Sequence, residues 1–483
     1  MALKTHPTGA STGTGARTRT RTRSGSGSGS GSSWIVIVSA GVAAGLQVWK
    51  LPPALPYLRH DLSLTLVQAG TLLGIIQLAG MLGGLAISLL AELIGERRCL
   101  SGGLVLLFLG SAGGGFAWSG GSLLASRAVE GAGFILAVVT GPGLIRRGTP
   151  PDRFTTAMGF WGAYQGISTF AGLITGALVL QVVPWRVWWW AMAVLALAPL
   201  PWVLARVPRD DVARVRHEDA ALVPRDVPAL VPRDDAGGAR GAAAALTRIG
   251  RTVRAPAPWT AGLVFACYTL PWMAVVGFLP TIYRDGGMTG SWPGVLSAVV
   301  GAANAIGSIT TAALMKRGLP ARALLVPAFT LMATTSLLAF AVDWQALPAG
   351  TTWQFLCVVA FSLTGGAIPA TLLRMIGELT PTGGSAPASM GLVQQLFNTG
   401  SFIGPALAAW LATRTGGWHS TWWITCACAA VGIVLSLRLC LHLRPRATAP
   451  VVATAPVRDS APVGDPTTAL TRSAQPSKPP RDR

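Results

Sequence analysis

Twelve long apolar runs divide this chain, each long enough to cross a bilayer as a helix. They cover 34–56, 65–90, 99–118, 121–145, 155–182 and 186–206, then 258–282, 290–314, 321–342, 350–374, 387–411 and 420–442. Backbone polar groups find no water in hydrocarbon, so such runs are confined to helices that satisfy their own N–H and C=O groups. The runs leave little room for anything else, and only 12% of the residues are charged. That is about half the usual share of a soluble domain. The expectation is an all-α integral membrane protein with twelve transmembrane helices.

Lysine and arginine set an orientation. With the N-terminus in the cytosol, 32 of the 38 basic side chains fall on cytosolic segments. The other six are Lys50, Arg59, Arg127, Arg186, Arg284 and Arg414. This asymmetry is the positive-inside pattern. It accounts for the net charge of +20 without invoking nucleic acid. Both termini are expected in the cytosol, at the cytoplasmic membrane.

Between the runs the composition changes. Residues 1–33 are an Arg-Thr and Ser-Gly tract and read as a disordered cytosolic tail rather than a signal peptide. Residues 207–257 read as a flexible cytosolic linker, with a near-duplicate at Leu222–Asp226 and Leu230–Asp234. The Pro- and Thr-rich stretch 443–483 reads as a disordered tail. The six cysteines lie in or beside apolar runs with no metal spacing, so they read as packing residues.

The two sets of six runs repeat each other. Leu55-Pro56, Thr65, Gly70 and Leu72 recur 224 residues later as Leu279-Pro280, Thr289, Gly294 and Leu296. Met158-Gly159, Phe170 and Gly172 recur 232 residues later as Met390-Gly391, Phe402 and Gly404. Repeats of this kind mark transporter folds, whose solute sites lie between the halves near mid-membrane. The expected architecture is two pseudo-symmetric six-helix bundles, 34–206 and 258–442.

Two stretches carry a family resemblance. After the second run the chain reads Ser88-Leu-Leu-Ala-Glu92-Leu-Ile-Gly95-Glu-Arg97-Arg98. This resembles the Gly-x-Leu-x-Asp-Arg-x-Gly-Arg-Arg signature of the major facilitator superfamily. Glu92 stands at the acidic position, Gly95 at the turn, and Arg97 and Arg98 at the basic end. Ser88 and Leu93 depart from it. The fourth run holds Arg127-Ala-Val-Glu130-Gly131-Ala-Gly133, similar to the family's Arg-x-x-Gln-Gly-x-Gly. The fifth run lacks the Gly-Pro pair of many drug–proton antiporters. The resemblance implies alternating access by two bundles, a cavity lined by the first and fourth helices among others, and a cytosolic latch at the signature loop.

Ionisable groups inside lipid are costly and are functional candidates by default. Counting 1.5 Å per residue sets Gln47, Lys50, Arg127 and Glu130 at similar depths, Lys50 roughly 24 Å from Trp34. That suggests a shared polar site. Arg127 would then orient an anionic group or tune Glu130, and Glu130 would take and release a coupling proton. The blander alternatives are a snorkelling Lys50 and an Arg127–Glu130 pair that only holds the helix. One excess positive charge favours an anion.

Further polar candidates are Gln77, Tyr164 and Gln165 in the first half, and Tyr268, Trp272, Asn304, Gln394 and Asn398 in the second. Each is a ligand contact or an interhelical hydrogen bond. Arg374 and Glu378 are a cytosolic gate pair or a plain anchor. Trp34, Trp118, Trp185, Trp188, Trp259, Trp292, Trp418 and Trp422 read as the interfacial aromatic belt.

No nucleotide-binding loop, catalytic triad or metal signature occurs in the sequence. No enzyme activity, cofactor or metal is expected. The reading is a proton-coupled secondary transporter of a small organic solute, working as a monomer in the bilayer. The alternatives are a drug or metabolite efflux antiporter of the same fold, and a membrane sensor or scaffold.

Overall fold

The computed structural model describes residues 33–208 and 237–442. The expected N-terminal tail up to residue 32, most of the linker with its duplicate, and the tail from 443 lie outside the described residues. So does the side chain of Glu92, with those of Ser88 and Leu93.

The fold is all-helical. In the first half the spans are α1 (Ser33–Asp61), α2 (Leu66–Gly74, Ile75–Gln77 and Leu78–Ile94) and α3 (Glu96–Gly115). They continue as α4 (Gly120–Gly148), α5 (Pro151–Val179) and α6 (Trp185–Arg206). In the second half they are α7 (Pro256–Asp285), α8 (Trp292–Lys316), α9 (Ala321–Ala341) and α10 (Gly350–Arg374). The chain ends with α11 (Ala386–Thr415) and α12 (Trp422–His442). The turns after α1, α5, α7 and α11 meet at one end, the far end, and Ser33 and His442 lie at the opposite, tail end.

Ten of these helices are long and apolar enough to cross a membrane. The other two, α5 and α11, have 29 and 30 residues and are long enough but less apolar. Their surroundings explain this. α5 packs on α1 in its own half and on α8 in the other, and α11 packs on α7 and on α2. A helix with protein on both flanks needs small and polar residues for close approach more than it needs apolar ones. Where α2 meets α11, Gly70 lies against the backbone of Pro405, and Gly74 against that of Phe402. A side chain at either position would push the halves apart.

The pairings repeat with a shift of six helices. α1 packs on α5 as α7 does on α11, α3 on α6 as α9 does on α12, and α2 on α4 as α8 does on α10. The sequence repeats therefore recur as repeated packing.

One element departs from expectation. Residues Gly237–Arg254, in the segment read as a flexible linker, form a helix. Its Thr252 Oγ1 accepts a hydrogen bond from the Ser385 N–H at 2.8 Å, which ties it to the start of α11. Ala242–Ala245 supply the residue type with the highest helix propensity.

Candidate functional site

The site begins with a break in α1. Pro52 and Pro53 have no N–H to give to the carbonyls of Val48 and Trp49, so the helix is interrupted at Lys50. Neighbouring side chains hold the broken turn. Arg127 Nη1 donates to the Gln47 carbonyl at 2.6 Å, and Trp188 Nε1 donates to the Lys50 carbonyl at 3.1 Å.

Gln47, Lys50, Arg127 and Glu130 come together there, each 0% exposed. Lys50 Nζ donates to Gln47 Oε1 at 2.9 Å, Ser111 Oγ at 2.7 Å and Glu130 Oε1 at 2.8 Å. The opposite carboxylate oxygen, Glu130 Oε2, accepts from Arg127 Nη1 at 2.5 Å. Gln47 Nε2 donates to the Met192 carbonyl at 2.9 Å, and the Trp189 ring lies 4.7 Å from Lys50 Nζ. Depth counting along the first and fourth runs therefore found a true cluster. Lys50 does not snorkel, and it is enclosed by α3, α4 and α6 of the first half. Ser111 and Trp189 were not legible as partners, because depth alone says nothing of which way a helix face turns.

The cluster is not fully paired. Among the described residues, Arg127 Nε and Nη2 are buried without a hydrogen-bond partner. So are Gln77 Oε1, Gln165 Oε1, Trp49 Nε1 and both amide atoms of Asn398. An unpaired buried polar atom is expensive, and those that persist ask for a reason. These lie on α4, α2, α5, α1 and α11, which include the helices at the junction of the halves. Asn398 abuts Gly80 of α2. Gln77 sits in a 3₁₀ turn of α2, and the preceding carbonyl, that of Ile76, rests on Gly131, one turn from Arg127. A mid-helix 3₁₀ stretch often marks a hinge or a functional irregularity.

The second half contributes an uncharged network. Asn304 Nδ2 donates to the Tyr268 hydroxyl at 3.0 Å and to the Ser362 carbonyl at 2.9 Å. Trp272 Nε1 donates to Ser362 Oγ at 3.2 Å. The Trp272 ring meets that of Trp49 edge-on at 5.4 Å, so the neutral network touches the residue next to Lys50. Ser362 and Trp49 were not among the sequence candidates, because their spacing does not show which helix face they share with Trp272. The Tyr164 ring packs on Trp161 at 4.9 Å. Gln394 is half-buried, and its neighbour Gln395 donates to the Met81 carbonyl across the halves at 2.9 Å.

A sequence model described as Major Facilitator Superfamily matches residues 37–344 and 261–473. The chain belongs to that superfamily.

Its relatives include the cyanate transport protein CynX of Escherichia coli strain K12, 25% identical over 415 residues, covering 84% of this chain and 96% of that one. The tetracenomycin C resistance and export protein of Streptomyces glaucescens is 31% identical over 126 residues, covering 25% of this chain and 23% of that one. Among solved structures, a bacterial homologue of the human lysosomal transporter Spinster, inward-facing and unoccupied, shares the fold with a TM-score of 0.64. It is 15% identical and covers 85% of this chain and 98% of its own. The protein is thus a multi-pass membrane transporter of this superfamily.

The superfamily's signature loop turns at Gly95, whose φ of +103° favours glycine. Arg97 Nη2 donates to the Leu204 carbonyl at 2.5 Å, and Arg98 is exposed on the first turn of α3. Glu96, which was not a candidate, pairs with Arg147 at the tail end of α4. Arg374 and Glu378 are both exposed, and α10 ends between them at Met375. No ion pair joins them among the described residues. Trp185 and Trp188, expected in the aromatic belt, are buried instead, with Trp185 Nε1 donating to Asp61 Oδ2 at 2.8 Å. Trp118 and Trp292 are exposed, as a belt requires.

Proposed function

We propose that this protein is a secondary active transporter of a small organic anion, coupled to protons and working by alternating access. The bundles 34–206 and 258–442 would rock about the junction of α2 with α11 and α5 with α8, joined by the segment 207–257. Both tails would lie in the cytosol, and a single chain would be the working unit.

One observation carries the anion reading. The Arg127 guanidinium is wholly buried with one nitrogen held and two others unpartnered. A guanidinium edge is the side-chain group best matched to a small carboxylate-like anion. Lys50, Arg127 and Glu130 sum to one positive charge in a dry setting, and a monovalent anion would neutralise it. Gln77, Gln165 and Asn398 add further buried neutral atoms without partners among the described residues. The E. coli relative is named for cyanate, a small anion, and this agrees with the charge.

Counterflow in proteoliposomes tests the reading. Vesicles preloaded with unlabelled anion should take up labelled cyanate, thiocyanate, formate or lactate. Glycerol and choline should give no exchange. Exchange of glycerol or choline with none of the anions would refute it.

A further inference from the structure

We propose that Lys50, rather than Glu130, carries the coupling proton, with Glu130 acting as a fixed counter-charge. The proposal rests on the anion reading above and adds which group binds the proton and in what ratio.

Glu130 is poorly placed to gain a proton. Both its carboxylate oxygens already accept hydrogen bonds from cations, Oε1 from Lys50 and Oε2 from Arg127. Protonation would displace one of these and leave two buried cations with no counter-charge. Arg127 does not lose its proton in proteins. Lys50 is the remaining titratable group of the cluster.

The surroundings of Lys50 suit both its forms. As an ammonium it has three protons and three acceptors: Gln47 Oε1, Ser111 Oγ and Glu130 Oε1. As an amine it keeps two donors, for Gln47 and Glu130, and gains a lone pair. The Ser111 hydroxyl, which otherwise donates to the Trp189 carbonyl at 3.0 Å, can rotate to fill that lone pair. No heavy atom has to move. Among the described residues the charged groups facing Lys50 are Glu130 and Arg127 from α4. Gln47 of its own helix, Ser111 of α3 and the Trp189 ring of α6 are uncharged.

The charges then balance. With Lys50 as an amine, Arg127 and Glu130 cancel and the site is neutral. One proton makes it +1, and one monovalent anion returns it to neutral. Proton and anion enter the site together and leave together, one for one, with no net charge moved. A buried charge is costly in either half-loaded state, and that cost links the two ligands.

Lys50→Arg tests the idea, because arginine keeps the positive charge and cannot release it. In proteoliposomes the variant's exchange of labelled for unlabelled thiocyanate is its own reference. Relative to that exchange, its accumulation driven by a pH gradient should fall at least tenfold against wild type. Gradient-driven accumulation equal to wild type overturns the proposal. Absence of anion exchange in wild type overturns instead the anion reading beneath it. A second measurement does not depend on the variant's folding. The chain has lysine only at Lys4, Lys50, Lys316 and Lys478. With Lys4→Arg, Lys316→Arg and Lys478→Arg together, ¹⁵N-lysine labelling reports Lys50 alone. At fixed pH its Nζ resonance should be that of an amine without anion and of an ammonium with saturating thiocyanate. The same resonance in both conditions overturns the proposal.

Discussion

Arg284 lies over the Tyr57 ring, 4.7 Å from its centroid, and donates to the Tyr57 hydroxyl at 2.9 Å. The contact joins α7 to α1 at the far end. Gln181, just past α5, adds a second strand to the same latch. Its Nε2 donates to the Tyr57 hydroxyl at 3.4 Å and to the Gly290 carbonyl, ahead of α8, at 3.3 Å. Three segments from both halves therefore meet at one phenol, and Gln181 carries the link on to a fourth at Gly290.

Tyr57→Phe keeps the ring and removes the hydroxyl. Net losses for such hydrogen bonds are about 1 kcal/mol, so opening at the far end should become about five times more frequent. A cysteine placed at Ala177, buried beneath the latch, reports this in a background without the native cysteines. Its labelling by an impermeant maleimide should quicken by that factor. An unchanged rate would mean that the latch does not hold the far end.

Ser111→Ala removes the acceptor of one Lys50 proton and leaves the Trp189 carbonyl without that donor. A buried group stripped of its partner costs about 1–3 kcal/mol. The thermal unfolding midpoint in detergent should fall, and Ser111→Thr should restore most of it. A midpoint equal to wild type would show that Lys50 does not depend on Ser111.

Asn398→Leu should behave in the opposite way. Neither amide atom of Asn398 has a partner among the described residues, so leucine removes a buried liability. The unfolding midpoint should hold or rise while anion counterflow falls. This split is the mark of a residue kept for function at some cost in stability. Loss of stability with counterflow intact would make Asn398 a packing residue.

The architecture was written in the sequence because lipid permits so few solutions. Long apolar runs had to be helices, and glycine and proline at matching offsets in two halves had to be repeats. Depth along a helix is also a matter of counting, which is why Lys50 and Glu130 could be matched 80 residues apart. Direction around the helix was hidden. The apolar residues of α1, α3, α4 and α6 are spread around each helix rather than gathered on one face, so no periodicity told that Lys50 turns toward Ser111 and Trp189. Tryptophan was ambiguous for a related reason. The same indole suits a headgroup layer and a buried donor site, and Trp188 took the second. The linker helix at Gly237–Arg254 was missed because its arginines and glycines were weighed as disorder while its alanine run was not weighed as helix.

The central claim is that the open edge of Arg127 receives an anion. Calorimetry of thiocyanate binding to the purified protein, wild type against Arg127→Lys, tests it most directly. Lysine keeps the charge and loses the fork whose two free nitrogens are at issue. Hydrogen bonds to charged groups are each worth about 1.5–3 kcal/mol. Wild type should bind thiocyanate, and Arg127→Lys should bind it at least tenfold more weakly. Equal affinity in the two proteins, or no anion binding in wild type, would contradict it.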